Sequence, residues 1–356
     1  MERRKFGNTN LEVSAISLGC WIVGVDWWGH YTDDDGIRIF KYAHDLGITF
    51  FDNGDAYGNG RAETVFAKFL KSGVRREQVE IGSKFGYDFY SDPGEAGSHK
   101  ERKQDFSPKF LHYALEQSLK RLGTDYIDLY MAHNIKLPQF RDDTFAELEK
   151  IKDEGKIKVW GVSLGPAIGW REEGITAIMD KGAKAVQTVY NLFEQAPGRE
   201  FCDVARAYSA GVLARVHDNS GILKGKMKPS DVIGKDDHRK FRDQSWKTYG
   251  LQKLAKVRKY ADRHDMTVHQ LACKLLLMDP ALTSITATLL NEEEIKEAAD
   301  AVYKPRLTND EMAELARDYA VDWNLGDEAH PCDLKSSTDP SGKVRSDYVP
   351  PPVLMA

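Results

Sequence analysis

The sequence predicts an α/β fold of the (β/α)8, or TIM, barrel class, with an N-terminal β-hairpin, long loops and a C-terminal tail. Three observations predict it. Eight short apolar runs, near 14–18, 48–52, 79–84, 126–132, 157–162, 185–189, 212–216 and 283–288, read as buried strands that stop at polar or glycine residues. A stretch with helical apolar spacing follows each run, the first one after an intervening aromatic loop. The rival open, doubly wound sheet lacks its fingerprint: no Gly-x-Gly-x-x-Gly follows the first strand, and Gly58-x-Gly60 has no third glycine.

Taken in order, residues 3–8 and 11–13 flank the polar turn Asn8-Thr9-Asn10 and read as a small hairpin. The strand 14–18 ends at Gly19, and an aromatic loop carries Trp21, Trp27, Trp28, His30 and Tyr31. Asp33 to Leu46 has helical spacing (Ile37, Ile39, Phe40, Ala43, Leu46) and stops at Gly47. Helix 61–71 precedes strand 79–84, and a polar loop over 85–106 follows. Ser107-Pro108 opens a helix as an N-cap with proline in the first turn, closing at Leu122-Gly123. Helices over 143–154, 172–181 and 198–210 each end at a glycine (Gly155, Gly182, Gly211) before the next strand. A second polar loop spans 217–245, and helices near 247–263 and 267–278 lead to the last strand. A final helix starts at Asn291-Glu292-Glu293-Glu294, acidic at its N-terminus as the helix dipole favours. The barrel is assigned to 1–321. Residues 322–356, with Pro340, Pro350, Pro351 and Pro352, form a tail expected to pack over the active-site mouth or to be partly ordered.

At 356 residues the chain is long enough for one large barrel with a sizeable core. A net charge of -5, with basic and acidic residues interspersed, gives no nucleic-acid or anionic-membrane surface. The charged start Met1-Glu2-Arg3-Arg4-Lys5 precedes no signal sequence, and no apolar run is long enough to span a membrane. Cys20, Cys202, Cys273 and Cys332 lie far apart, which argues against a zinc site or disulfides and fits a reducing cytoplasm. No metal is expected, since His112, His133, His217 and Glu63 share no local ligand spacing. No feature of the sequence sets an oligomeric state.

In such barrels the site lies at the C-terminal ends of the strands. Asp52, Tyr57, Lys84 and His133 all stand at or just past such ends, on strands two, three and four. Together they suit proton donation to a carbonyl oxygen. A phenol is a poor acid at neutral pH, but a nearby ammonium stabilises its phenolate and is expected to lower its pKa. A buried carboxylate keeps the lysine charged, and an imidazole orients the carbonyl. Each residue taken singly also has an ordinary structural role, as a cap, a packed ring, a surface charge or a satisfied core histidine.

The chain resembles the aldo-keto reductase superfamily of NAD(P)H-dependent carbonyl reductases over roughly residues 4–320. The resemblance rests on Phe51-Asp52-Asn53-Gly54-Asp55-Ala56-Tyr57-Gly58, Gly82-Ser83-Lys84, Asp128-Leu129-Tyr130-Met131-Ala132-His133, Gly161-Val162-Ser163 and Gln187 to Asn191. It implies Tyr57 as general acid, Lys84 and Asp52 as its tuning pair, and His133 as the group that orients a small carbonyl substrate. It also implies that Ser163 and Gln187 hold the nicotinamide carboxamide, and that Gly221 to Lys226 cover the pyrophosphate, with Lys226 on a phosphate. The chain departs from the family at Leu164, where an asparagine is usual, and at Arg215, where an aromatic commonly stacks on the nicotinamide. After the last strand it carries Thr286-Ala287-Thr288-Leu289-Leu290-Asn291 without a basic residue, and Glu294 stands near the adenine position. NADPH is the cofactor the resemblance implies; Asn291 and Glu294 keep NADH open, since a carboxylate repels a 2′-phosphate.

The rim is expected from the aromatic loop, the 85–106 loop and the tail. Trp21, Trp27, Trp28, His30, Tyr87, Phe89 and Tyr90 offer rings; Asp26, Asp88 and Arg102 offer polar partners; Trp323 and His330 join them if the tail folds back. Rings interleaved with hydrogen-bonding groups suit a sugar-like carbonyl. The alternative is a nucleotide-binding regulatory or scaffold barrel with little turnover, suggested by the altered nicotinamide face.

Overall fold

The structure is a computed structural model that describes residues 1–94, 102–165, 170–235, 237–242 and 244–325. An antiparallel hairpin, β1 (Arg3–Lys5) and β2 (Glu12–Ser14), precedes eight parallel strands. These are β3 (Ile16–Gly19), β4 (Phe50–Asp52), β5 (Glu80–Phe85), β6 (Ile127–His133), β7 (Ile157–Ser163), β8 (Ala185–Val189), β9 (Gly211–Arg215) and β10 (Leu282–Ala287). They pair in sequence order, and β10 closes on β3 to complete the barrel. The expected (β/α)8 barrel is therefore present, hairpin included.

The strands read as continuous apolar runs because both faces are covered. One face of each strand meets the outer helices. The other fills the barrel, where Phe50, Leu129, Met131, Val159, Ala185 and Leu213 pack together. The hairpin closes the bottom of this interior: Phe6, Leu11 and Val13 join the same cluster. Apart from Ala185, each such buried side chain contributes about 1.5–3 kcal/mol relative to exposure.

Outside the barrel run α1 (Trp21–Gly24), α2 (Asp33–Asp45), α3 (Arg61–Lys71), α4 (Pro108–Leu122), α5 (Asp142–Asp153) and α6 (Arg171–Met179). They are followed by α7 (Gly198–Tyr208), α8 (Gln244–Arg263), α9 (Val268–Leu277), α10 (Glu292–Ala301) and α11 (Asn309–Ala320). Ser107 caps α4 ahead of Pro108, and Gly123 ends it in the left-handed region. Two helices go beyond the sequence expectation. The short α1 sits inside the aromatic loop, and α11 follows the helix that had been read as final. Thr308 and Glu311 start α11 with a reciprocal capping box. A second apolar cluster joins α8, α9 and α11 to the barrel's β8 side, through Phe193, Trp246, Leu254, Leu271, Leu315 and Trp323.

Register sets the site. Asp52 lies beside Gly19 on one side and Gly82 on the other. His133 pairs with Ser163, and Ser163 with Gln187. These polar side chains therefore ring the same end of the barrel, where the strands finish.

Candidate active site

At the mouth, Lys84 Nζ donates to both carboxylate oxygens of Asp52 at 2.8 Å each and to the Asn53 carbonyl at 2.6 Å. Both side chains are buried. Gly82 leaves room beneath the pair, because a Cβ there would press on the Phe50 ring at 3.2 Å. Burial alone would lower the pKa of the Lys84 ammonium, but Asp52 and then Tyr57 outweigh it and raise it above the ordinary lysine value. The lysine is held as a cation.

Its Nζ also lies 4.9 Å from the centroid of the Tyr57 ring, within hydrogen-bonding reach of the phenol. The loop that carries Tyr57 depends on two glycines. Gly58 has a left-handed φ of +61° and a Cβ there would strike the Gly24 carbonyl at 2.1 Å. A Cβ on Gly54 would press on the phenol ring at 3.1–3.2 Å. The expected lowering of the Tyr57 pKa does not hold. Burial pushes the phenol up, Lys84 pulls it down, Asp52 pushes it up again, and the outcome is a rise above the ordinary tyrosine value. Sequence shows the ammonium but not the desolvation, and desolvation wins.

His133 stands edge-on to Tyr57, with ring centroids 5.7 Å apart and planes at 83°, and edge-on to Tyr87 at 5.0 Å. Burial first, then Lys84 and Arg215, hold its pKa well below the usual histidine range. The ring is neutral. Its buried Nδ1 has no hydrogen-bond partner among the described residues. Asn134 donates to the Tyr87 hydroxyl at 2.8 Å and Gln104 bridges the His133 and Asn134 carbonyls, which fixes this wall.

The residues expected at the nicotinamide form a buried polar row. Ser163 Oγ donates to Gln187 Oε1 at 2.8 Å, and Gln187 Nε2 donates to Thr286 Oγ1 at 3.2 Å. The serine keeps lone pairs and the amide a second N–H, which is the capacity a carboxamide needs. Arg215 is turned to the backbone: its guanidinium donates to the Leu164 carbonyl at 2.8 Å and to that of Gly165. Its Nε is buried without a partner among the described residues. Burial depresses its pKa, while Tyr57 and Asp52 act to raise it, so the arginine shares the field of the site. A nicotinamide fits this donor set.

The residues expected at the adenine end pair with one another. Gly221, at φ +98°, leads into a 3-10 turn over Ile222–Lys224. Lys224 donates to Glu294 at 2.7 Å and to the Thr288 carbonyl at 2.9 Å, with Asp218 at 3.6 Å. Glu294 also accepts from the Leu290 N–H at 2.9 Å, and Asn291 caps the Glu294 N–H at 3.0 Å. Lys226 lies 2.9 Å from Glu293, both well exposed. Glu294 is thus neutralised by Lys224, and each of the two lysines in this loop has a glutamate partner.

Of the expected rim, Trp21 donates from Nε1 to Thr288 Oγ1 at 3.2 Å and meets Trp27 and Trp28 edge-on, each at 5.8 Å. Trp28 Nε1 is buried with no partner among the described residues. His30 points outward and pairs with Asp26 at 3.2 Å, both strongly exposed. Phe89 and Tyr90 stack on each other at 4.0 Å and brace the loop against Arg121. Asp88 turns back onto Ser91, and Arg102 donates to the Pro93 carbonyl. Trp323 is buried edge-on to Phe193 at 5.6 Å, inside the second apolar cluster rather than at a rim. His330 lies outside the described residues.

Sequence reasoning missed two groupings. His238 stacks flat on Trp27 at 4.7 Å and Arg239 lies over Trp28 at 5.3 Å, so the loop after β9 reaches the aromatic loop. Away from the mouth, His217, His269 and Cys273 come together in the interior. Burial would raise the Cys273 thiol, but the two facing imidazoles bring it down to about 6. The expectation of no metal rested on linear spacing, and it overlooked that His269 and Cys273 are one helical turn apart.

The comparisons place this (β/α)8 barrel among the oxidoreductases of carbonyl compounds. The model of the Aldo/keto reductase family matches residues 15–319. The chain belongs to that family and is an NAD(P)H-dependent oxidoreductase. It is 30% identical over 322 residues to Aldo-keto reductase YhdN of Bacillus subtilis, covering 83% of this chain and 92% of that one. It is 27% identical over 318 residues to Uncharacterized oxidoreductase YqkF of the same species, covering 88% and 95%. Among solved structures, the glycerol dehydrogenase AKR11B4 from Gluconobacter oxydans aligns with a TM-score of 0.77 at 24% identity, over 90% of this chain and 95% of that one. The aldo-keto reductase AKR11C1 from Bacillus halodurans aligns with a TM-score of 0.71 at 23% identity, over 89% and 96%. These last two likenesses concern the fold. Among the described residues no helix is long and apolar enough to cross a membrane.

Proposed function

We propose that this enzyme reduces a small polar, sugar-like aldehyde or ketone, with Tyr57 as the proton donor. The observation that carries the reading is the Asp52–Lys84 pair beneath the Tyr57 ring, with neutral His133 edge-on to that ring. When bound, NAD(P)H supplies the hydride. Tyr57 hands its phenolic proton to the carbonyl oxygen, and the Lys84 ammonium stabilises the phenolate that remains. Asp52 keeps Lys84 charged and in place. His133, uncharged, orients the carbonyl oxygen without competing for the proton. Ser163 and Gln187 hold the carboxamide, and Arg215 braces the Leu164–Gly165 backbone beside it. A polar substrate is favoured by the Tyr87 hydroxyl at the wall of the site.

The cofactor reading shifts at the adenine end. Lys224 and Lys226 each face a glutamate, and Asp218 lies 3.6 Å from Lys224, so both lysines already hold carboxylates. This favours NADH over NADPH, whose 2′-phosphate brings extra negative charge. The test is a cofactor-oxidation screen with NADH and NADPH against aldoses, keto-sugars and simple aldehydes. The expected result is turnover of polar carbonyls that Tyr57→Phe cuts by about 10²–10⁴-fold. Tight cofactor binding without turnover on any carbonyl would overturn the reading in favour of a binding barrel.

A further inference from the structure

His217, His269 and Cys273 are fully buried, and the carbonyl site uses none of them. His217 stands two residues past the end of β9; His269 and Cys273 lie on the same face of α9. One donor atom from each residue lies within 4.8 Å of the other two. The Nε2 atoms of the two imidazoles are 2.8 Å apart, with ring centroids at 5.1 Å and planes at 36°. On its far side, His269 Nδ1 lies 3.0 Å from the Glu297 carboxylate on α10.

The Glu297 contact fixes one proton. A carboxylate accepts, so that proton belongs on His269 Nδ1, and its Nε2 is the atom that faces His217. His217 Nδ1 is buried with no partner among the described residues. Protonated or not, that nitrogen is left bare in the interior, as donor or as acceptor, at a cost of about 1–3 kcal/mol. When the His217 proton sits on Nδ1, the two Nε2 atoms turn to each other beside the thiol, and the space between them holds either a shared proton or a metal ion.

We propose that His217, His269 and Cys273 form a buried site for a zinc-class transition-metal ion, with Glu297 as the outer carboxylate that orients His269. Two imidazole nitrogens and a thiolate are a borderline-soft donor set, suited to zinc and poorly suited to magnesium or calcium. Zn–N and Zn–S bonds of about 2.0–2.1 and 2.3 Å place tetrahedral ligands about 3.3–3.6 Å apart. The rings need part only slightly to reach that spacing. The carboxylate–histidine–metal relay is the usual means of fixing a ligand's tautomer. The ion would fasten the segment leading into Gly221–Lys226 to α9 and α10, a structural role independent of the proposed carbonyl chemistry.

The test uses the full-length protein as purified. Metal content is measured by plasma mass spectrometry, the ion is removed with chelator, and Co2+ is added while the absorption spectrum is followed. The expected result is one equivalent of a zinc-class ion per chain and a near-ultraviolet thiolate-to-cobalt charge-transfer band in the cobalt form. Cys273→Ser should remove that band, and Glu297→Gln should weaken metal binding about 10–100-fold. A wild-type protein that holds no metal and takes up neither Zn2+ nor Co2+ would overturn the site. So would cobalt bound without a thiolate band, which would leave the cluster a hydrogen-bonded Cys–His–His–Glu network. Both readings use the wild type, so a Cys273→Ser protein that fails to fold does not obscure them.

Discussion

Lys84 Nζ sits 2.8 Å from each carboxylate oxygen of Asp52, with both side chains sealed from solvent at the end of adjacent strands. A pair so placed is costly to break, because the survivor is a buried charge without its partner. Asp52→Asn and Lys84→Met should each destabilise the fold by about 3–5 kcal/mol. Urea denaturation of the two variants and the wild type measures this. The double variant should lose less than the sum of the singles, because it leaves no lone charge.

Tyr57→Phe removes the proposed proton and little else. Turnover should fall by about 10²–10⁴-fold, the range expected for losing a positioned general acid. Cofactor affinity, read by fluorescence titration, should stay within about twofold. Retention of full reductase activity by this variant would remove Tyr57 from the chemistry.

The pH profile follows from burial. The Tyr57 pKa lies above the ordinary value of 10.0, so the phenol stays protonated and the reductive rate should hold on the alkaline side past the point where a free tyrosine ionises. His133 titrates well below 6.5, so no loss of rate is expected as pH falls through that value. The stability consequence of His133 has a definite sign. Its folded pKa is depressed, so the unfolded chain takes up the proton first. Stability is therefore present above the unfolded value and lost as pH falls below it. Rate and melting temperature measured over the same pH series check both.

Arg215 braces the backbone of the proposed nicotinamide wall through the Leu164 and Gly165 carbonyls. Arg215→Met should loosen that wall and weaken cofactor binding about tenfold, equivalent to about 1.4 kcal/mol. Turnover at saturating cofactor should change less. Isothermal titration with each nicotinamide cofactor separates the two effects.

Glu294→Gln removes a negative charge at the adenine end and frees Lys224 from its 2.7 Å partner. The kcat/KM ratio of NADPH to NADH should rise by about three- to tenfold, the effect of one partly screened charge. An unchanged ratio would mean that the 2′-phosphate lies elsewhere.

Much of this was legible in the chain. The strands announce themselves because a barrel strand is covered on both faces and so reads as an unbroken apolar run. Lys84 and His133 stand out because a polar residue ends such a run. What a linear reading lacks is direction and environment. Arg215 was placed at the end of its strand, but nothing in the sequence says that its guanidinium turns to Leu164 and Gly165. The Tyr57 pKa was assigned the wrong direction because an ammonium is visible in a sequence and desolvation is not. His217 stands more than fifty residues from His269, so only folding brings them together. Helix α11 is different: Thr308-x-x-Glu311 ahead of Met312 and Leu315 spells a capping box and an apolar stripe, and was available to be read.

The flat stack of Trp27 on His238 joins segments carried by different barrel strands, one after β3 and one after β9. Neither segment can then be exchanged alone. A relative's aromatic loop grafted without its matching β9 loop would leave one ring facing nothing. Drift in substrate preference within this lineage should accordingly proceed by paired replacements at these two positions, and libraries that vary them together should recover active variants more often than libraries that vary either one.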